Sequence, residues 1–242
     1  MAPANIAREL AQFDATLNLA QAKTPPSSWY TDPEIYDLEE KRVFGGNWCF
    51  VGYVEQLGCV GSFFCGDLAG EPYVVVRTGP KEIRAFYNVC QHHAAAVATG
   101  DGQCQEFRCP YHGWMFSETG QCVEMPAESP ESSFPSRVQI TGYPVQAIAG
   151  LIFVYLGPEP TPLLPRWDMF VWDNVLRDIG STIIPCNWLQ IMENSLDPTH
   201  VEWLHGRFSD YVLERIGRTD LKREFFRVGE GGPVPEGQIT GN

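Results

Sequence analysis

At 242 residues the chain is long enough for one large domain or two modest ones, and an apolar fraction of 44% with 12% aromatics supplies a core. Thirty acidic against 17 basic residues leave a formal charge of −13, which argues against nucleic acid or a membrane surface as partner and favours small neutral or cationic substrates and basic proteins. Eight cysteines are too sparse for a disulfide scaffold, so the natural setting is a reducing cytoplasm.

In chain order, Arg8, Glu9 and Asp14 interrupt the apolar run an export signal would need, and no export is indicated. Residues 1–45 are predicted helical, with Asp32 and Pro33 in the N-cap and N1 places and Gly45-Gly46 closing the pattern. From Trp48 to about Pro126 the texture changes to short apolar runs separated by Gly, Pro and Asp, which predicts antiparallel strands.

Inside that β region lies CQHHAAAVATGDGQCQEFRCPYHGW, Cys90 to Trp114. It reads Cys90-x-His92, sixteen residues, then Cys109-x2-His112, each pair in a loop after a strand-like run. A zinc finger takes both cysteines from one knuckle and both histidines from a later helix, so mixed pairs on two β loops fit it poorly, although structural zinc stays open as the rival. A two-iron centre with thiolates on one iron and imidazoles on the other needs one Cys and one His from each loop, as in a Rieske [2Fe-2S] cluster. His93 reads as a surface imidazole or one packed behind the ligands. Cys104, Cys49, Cys59, Cys65, Cys122 and Cys186 read as ordinary thiols.

Further on, MPAESPESSFPSRV (Met125–Val138) is rich in Ser and Pro and leaves the β region, and a strand pair follows through Leu156. Val145–Leu156, the most apolar stretch, is too short to span a bilayer and reads as buried strand. The Pro-rich Gly157–Trp167 is an extended surface crossing. From Trp188 the spacing Trp188, Met192, Leu196 predicts a helix that Pro198 interrupts.

Asp197, His200 and His205 form Asp-x2-His-x4-His. On an unbroken α-helix the two imidazoles would point about 140° apart. Asp197 capping a new helix with Pro198 at N1, and a loosening of that helix around His205 before Gly206, would let them converge. Two histidines and a carboxylate with open positions are the facial triad of non-haem Fe(II) oxygenases; two histidines on an amphipathic helix are the plainer alternative.

With both constellations in place, the chain resembles the large subunit of Rieske non-haem iron oxygenases. PPSSWYTDPE, NVCQHHAA and CPYHGW are similar to choline monooxygenases and their aromatic-ring relatives, and NSLDPTHVEWLH is closer to bacterial ring-hydroxylating enzymes of the phenylpropionate-dioxygenase type. The resemblance implies an α+β fold: an antiparallel β Rieske domain (residues 46–135) inserted in a partial, helix-grip-like catalytic domain made of residues 1–45 and 136–242. It implies that Cys90, His92, Cys109 and His112 bind the cluster, spacing within the family selecting His92 over His93, and that His200 and His205 bind a mononuclear Fe(II). Asp197 would bridge a cluster histidine, His112, to His200 of a neighbouring subunit, which implies a homo-oligomer, commonly a trimer. Asn194 sits near the iron in some members. High-potential relatives place a disulfide across the two cluster loops, where this chain has Ala94–Ala96 and Tyr111, so a lower-potential cluster is implied.

The implied activity is that of a terminal oxygenase component, mono- or dioxygenating. Electrons from NAD(P)H would arrive through a reductase or ferredoxin, and O2 would be activated to hydroxylate an organic, preferentially aromatic, substrate. One departure qualifies this. After His205 only 37 residues remain, where the family's third iron ligand lies well downstream, so half of the catalytic domain is expected to be missing. Asp210, Glu214 and Asp220 are available carboxylates that read as solvated surface charge. The alternatives are a Rieske electron-transfer protein or inactive fragment lacking a complete catalytic iron site, and a zinc-stabilised binding module.

Overall fold

The computed structural model describes residues 4–18 and 20–221. Described residues up to Pro25 and Thr31–Asp178 form one compact unit; Pro26–Tyr30 and those from Ile179 onwards form a second.

In the first unit, helices α1 (Ala4–Leu10), α2 (Ser28–Thr31, which crosses the unit boundary) and α3 (Pro33–Glu39) precede the strands. The expected helix over residues 1–45 is therefore broken. Thr16 donates through its amide and its hydroxyl to Asp14 Oδ1 at 2.9 and 2.6 Å, a local turn that competes with the helix, and Pro25-Pro26 cannot donate at all. Asp32 caps α3 through the Glu34 amide at 2.9 Å, with Pro33 in the first turn. The chain then widens into a π-helical turn, Glu40–Phe44, closed by Gly45 N–H donating to Glu40 O at 2.7 Å.

Eleven strands follow among the described residues: β1 (Trp48–Tyr53), β2 (Ser62–Leu68), β3 (Glu71–Gly79), β4 (Glu82–Tyr87), β5 (Asp101–Gln103), β6 (Glu106–Arg108), β7 (Met115–Ser117), β8 (Cys122–Glu124), β9 (Gly142–Tyr143), β10 (Val145–Ile148) and β11 (Leu151–Tyr155). They pair antiparallel in three sheets, ordered β5-β2-β3-β4-β9, β1-β11-β10 and β6-β7-β8. The β2–β3 and β10–β11 hairpins turn on Ala69-Gly70 and Ala149-Gly150, all four with positive φ, the twist that tight antiparallel hairpins need.

Strand β3 explains its own run of valines. Val74 and Val76 face one core, with Phe86, Phe107, Trp114, Phe116, Ile140 and both loop cysteines Cys90 and Cys109. Tyr73 and Val75 face another, with Leu57, Phe64, Ala85, Ile152 and Val154. A strand covered on both faces cannot alternate apolar and polar residues.

In the second unit, α5 (Trp188–Leu196) and α6 (Pro198–His200) lead into a π-helical segment, Val201–Phe208, and then α7 (Ser209–Arg215); α4 (Asp168–Val171) belongs to the first unit. Across these second-unit helices the buried residues are Glu202 and Gly206, whereas Met192, Leu196, Trp203, Leu204, Phe208 and Tyr211 are exposed. No helix among the described residues is long and apolar enough to cross a membrane.

Candidate metal centres

Two loops with the same backbone pattern build the first site. After β4, Cys90 N–H donates to Ala95 O at 2.8 Å and Cys90 O accepts from Ala94 N–H at 2.9 Å. After β6, Cys109 N–H donates to Trp114 O at 2.8 Å and Cys109 O accepts from Gly113 N–H at 3.0 Å. The fourth residue past each cysteine is left-handed, Ala94 at φ 58° and Gly113 at φ 75°. Glycine takes that conformation freely; alanine holds it at a cost of about 1–2 kcal/mol. Strain kept at one residue of a loop that carries candidate metal-binding side chains points to function.

Asn88, 4% exposed, fastens the first loop from beneath. Its Oδ1 accepts from Val97 and Ala98 N–H at 3.1 and 3.0 Å, and its Nδ2 donates to Ala98 O at 2.9 Å. Sequence reasoning missed it; the signal was an amide just past the end of β4, two residues before the cysteine.

Between the loops the four expected residues separate into two pairs. Cys90 and Cys109 are 1% and 2% exposed and meet side chain to side chain. Burial, with the Cys109 thiol beside it, holds the Cys90 thiol above its ordinary value, while the backbone amides of His92 and His93 act in the opposite direction, donors aimed where a thiolate would sit. The imidazoles of His92 and His112 stand with ring centroids 4.6 Å apart. Desolvation and the neighbouring imidazoles of His93 and His112 hold His92 below its ordinary value, towards the neutral form that ligates metal. Trp114 stacks on His92 at 4.6 Å and 8°, and Phe134 meets Trp114 edge-on.

Among the described residues, three potential ligand atoms close to within 4.8 Å of one another at one place, His92, His93 and His112, and neither thiol belongs to that group. A tetrahedral zinc ion with bonds of about 2.0–2.3 Å would draw two thiols and two imidazoles to within about 4 Å of each other. Thiols at the buried end and imidazoles at the outer end instead suit an elongated two-iron centre, so the donor set fits the cluster. His93 lies against His92 at 4.2 Å and is exposed.

The second site follows the expected cap and a less expected helix. Asp197 Oδ1 accepts from Thr199 N–H at 2.8 Å, with Pro198 at the first helical position. Beyond His200 the backbone runs as a π-helix, whose i→i+5 bonding sets residues five apart on one side. The rings of His200 and His205 are thereby 5.2 Å apart. His200 Nδ1 is 2.6 Å from the Asp197 carbonyl oxygen, which fixes Nδ1 as the donor and leaves Nε2, 3.5 Å from Asn194 Nδ2, with its lone pair. That pair of imidazoles fits a metal ion.

Asp197 keeps the cap that the sequence predicts, and of the other carboxylates Asp210 departs from the sequence reading. Asp197 Oδ2 is 4.0 Å from His200 Nδ1 and its main bond is the helix cap. Asp210 is not simply solvated, since its Oδ1 is enclosed with no hydrogen-bond partner, whereas Asp220 pairs with Arg218. Among the described residues no carboxylate joins His200 and His205 within the 4.8 Å spacing of a ligand set.

Residues 47–144 match the Rieske [2Fe-2S] domain. The chain carries a Rieske domain. Its cofactor is the [2Fe-2S] cluster, and its curated relatives include oxygenase subunits and choline monooxygenases. It is 46% identical over 153 residues to the 5,5'-dehydrodivanillate O-demethylase oxygenase subunit of Sphingobium sp. (strain NBRC 103272 / SYK-6), covering 62% of this chain and 36% of that protein. It is 41% identical over 256 residues to the chloroplastic choline monooxygenase of Arabidopsis thaliana, covering 96% of this chain and 60% of that one. Among solved structures, naphthalene 1,2-dioxygenase from Rhodococcus sp. bound to indole superposes with a TM-score of 0.57 at 28% identity, covering 66% of this chain and 37% of that one. The chain thus spans 36% to 60% of the length of these curated relatives.

Proposed function

We propose that the chain is the cluster-bearing part of a terminal oxygenase, in which Cys90, His92, Cys109 and His112 hold the [2Fe-2S] cluster and His200 and His205 hold a mononuclear Fe(II). The observation that carries this reading is the π-helical turn: an i, i+5 histidine pair has no structural need to converge, yet the backbone departs from α-helix where it must for both rings to meet. When bound, the two centres supply electron transfer and dioxygen activation. The protein's own part is to bury the thiols, fix the His200 tautomer through the Asp197 carbonyl, and keep His92 neutral against the Trp114 ring.

Asp197 carries its carboxylate 48% exposed, which leaves it accessible to a cluster histidine of a neighbouring subunit, as a trimeric homo-oligomer would require. The charge of −13 suits a basic reductase or ferredoxin as donor, fed by NAD(P)H. Beside the two cluster cysteines, Cys49, Cys59, Cys65, Cys104, Cys122 and Cys186 are unpaired in disulfides, in keeping with a reducing compartment such as the cytoplasm. The substrate is organic, and we favour an aromatic acid: the oxygenase subunit that is 46% identical is named for dehydrodivanillate, whereas the choline monooxygenase relatives are the reason to test a quaternary amine beside it.

A second reading, a Rieske electron carrier without a working catalytic iron, is favoured by the absence of a third ligand among the described residues. Anaerobic purification followed by iron, zinc and acid-labile sulfide analysis separates the two. About three irons and two sulfides per chain support the oxygenase, two of each support the carrier, and zinc without sulfide overturns both. Dioxygen consumption with a reductase and an aromatic acid or choline then tests the substrate class.

A further inference from the structure

The π-helical segment Val201–Phe208 is an unstable backbone by itself, and something in the sequence must select it over α-helix. Gly206 removes one obstacle, being buried and without a side chain, but it does not favour the wider turn. Glu202 does. Its side chain is 6% exposed, and a buried carboxylate demands a cation. Arg207 answers from five residues along, Nε at 2.9 Å and Nη2 at 2.6 Å from Glu202 Oε1, while its guanidinium covers the Trp203 ring at 4.5 Å.

In an α-helix Glu202 and Arg207 would diverge by about 140°, and the positions facing Glu202 would be His205 and Gly206, neither of them a guanidinium. The pair can close only where i and i+5 share a side. The same register brings His200 to His205, and Ser209 Oγ repeats it by donating to Leu204 O at 3.2 Å.

We propose that Glu202 and Arg207 are positioning residues for the second metal site: their ion pair holds the π-helical register of residues 201–208 and so sets His200 and His205 on one side for a shared ion. The inference rests on the assignment of these histidines to a mononuclear metal. It assigns a role to two residues that touch no metal themselves.

The test uses the full chain, anaerobically purified with its cluster loaded, titrated with Co2+ and read by ligand-field absorption. Wild type takes one Co2+ beyond the cluster. Arg207→Ala and Glu202→Ala weaken that binding by about 10- to 100-fold and alter the ligand-field bands, with the cluster's visible spectrum unchanged. Arg207→Lys restores part of the affinity because it keeps the charge, a recovery that lost packing alone would not give. Should either alanine variant lose helical circular dichroism, the isosteric Glu202→Gln, expected to weaken binding to an intermediate degree, decides. Equal Co2+ affinity in wild type, Glu202→Gln and Arg207→Ala overturns the inference and leaves the metal site standing. Wild type that takes no Co2+, like His200→Ala, overturns the metal site and the inference with it.

Discussion

Replacing Asn88 with alanine should loosen the first cluster loop without touching a ligand. The side chain is buried and makes three hydrogen bonds, two accepted from the Val97 and Ala98 amides and one donated to the Ala98 carbonyl. Truncation leaves those three backbone groups without a partner in a site where Val97 is itself 4% exposed. At about 1 kcal/mol for each lost bond the variant should be destabilised by about 3 kcal/mol. For a chain of this size that corresponds to a fall of about 6–12 °C in Tm. Because Ala94 and Ala95 bond back to Cys90 within the same loop, the loss should also shorten the lifetime of the cluster, read as the decay of its visible absorption and of acid-labile sulfide under mild urea. Asn88→Asp keeps both accepted bonds and should fall between wild type and alanine. An alanine variant within about 1 kcal/mol of wild type with an undiminished cluster lifetime would refute the idea that this amide holds the loop.

Cys109→Ser should abolish the cluster, with sulfide and visible absorption both lost, while the buried β3 and β4 sheet keeps its circular dichroism. Ala94→Val, which puts a β-branched side chain at φ 58°, should destabilise the fold by about 1–3 kcal/mol in urea titration, whereas Ala94→Gly should not destabilise it at all. Tyr30 donates to Glu193 Oε1 at 2.5 Å, and that bond, with desolvation behind it, pushes the phenol up to about 12. Because the folded value lies above the ordinary value of 10.0, the stabilisation is fully present below pH 10 and is lost as pH rises towards 12. Difference titration of wild type against Tyr30→Phe at 295 nm should therefore recover one phenol ionising near 12, and a recovered value near 10 would count against the bond.

Both candidate metal sites are legible in the sequence to the extent that their chemistry is local. Cys90-x-His92 and Cys109-x2-His112 each sit within one loop, so residue type and spacing carry most of the information, and Asp197-Pro198 announces a helix start through capping rules that need no tertiary context. That the region from Trp48 is built of short antiparallel strands follows from local texture, whereas their order in the three sheets does not. What holds each site in place is less visible. The amide of Asn88 acts across ten residues on Ala98, and no periodicity marks it.

The π-helix illustrates the limit most directly. A reading based on 3.6 residues per turn places His200 and His205 on divergent faces, and from that period alone the plainer account, two histidines on an amphipathic helix, is the better one. Glu202 and Arg207 carry the missing information, because they are matched at the same interval of five and the carboxylate lies where water does not reach. Two pairs at i, i+5, one ionic and one of imidazoles, staggered by two residues along the same turn, are together evidence for a wider helix that neither pair gives by itself. A sequence search for non-haem iron sites on a single helix should accordingly score the interval of five, and should ask whether an acid and a base at the same interval lie alongside the histidines.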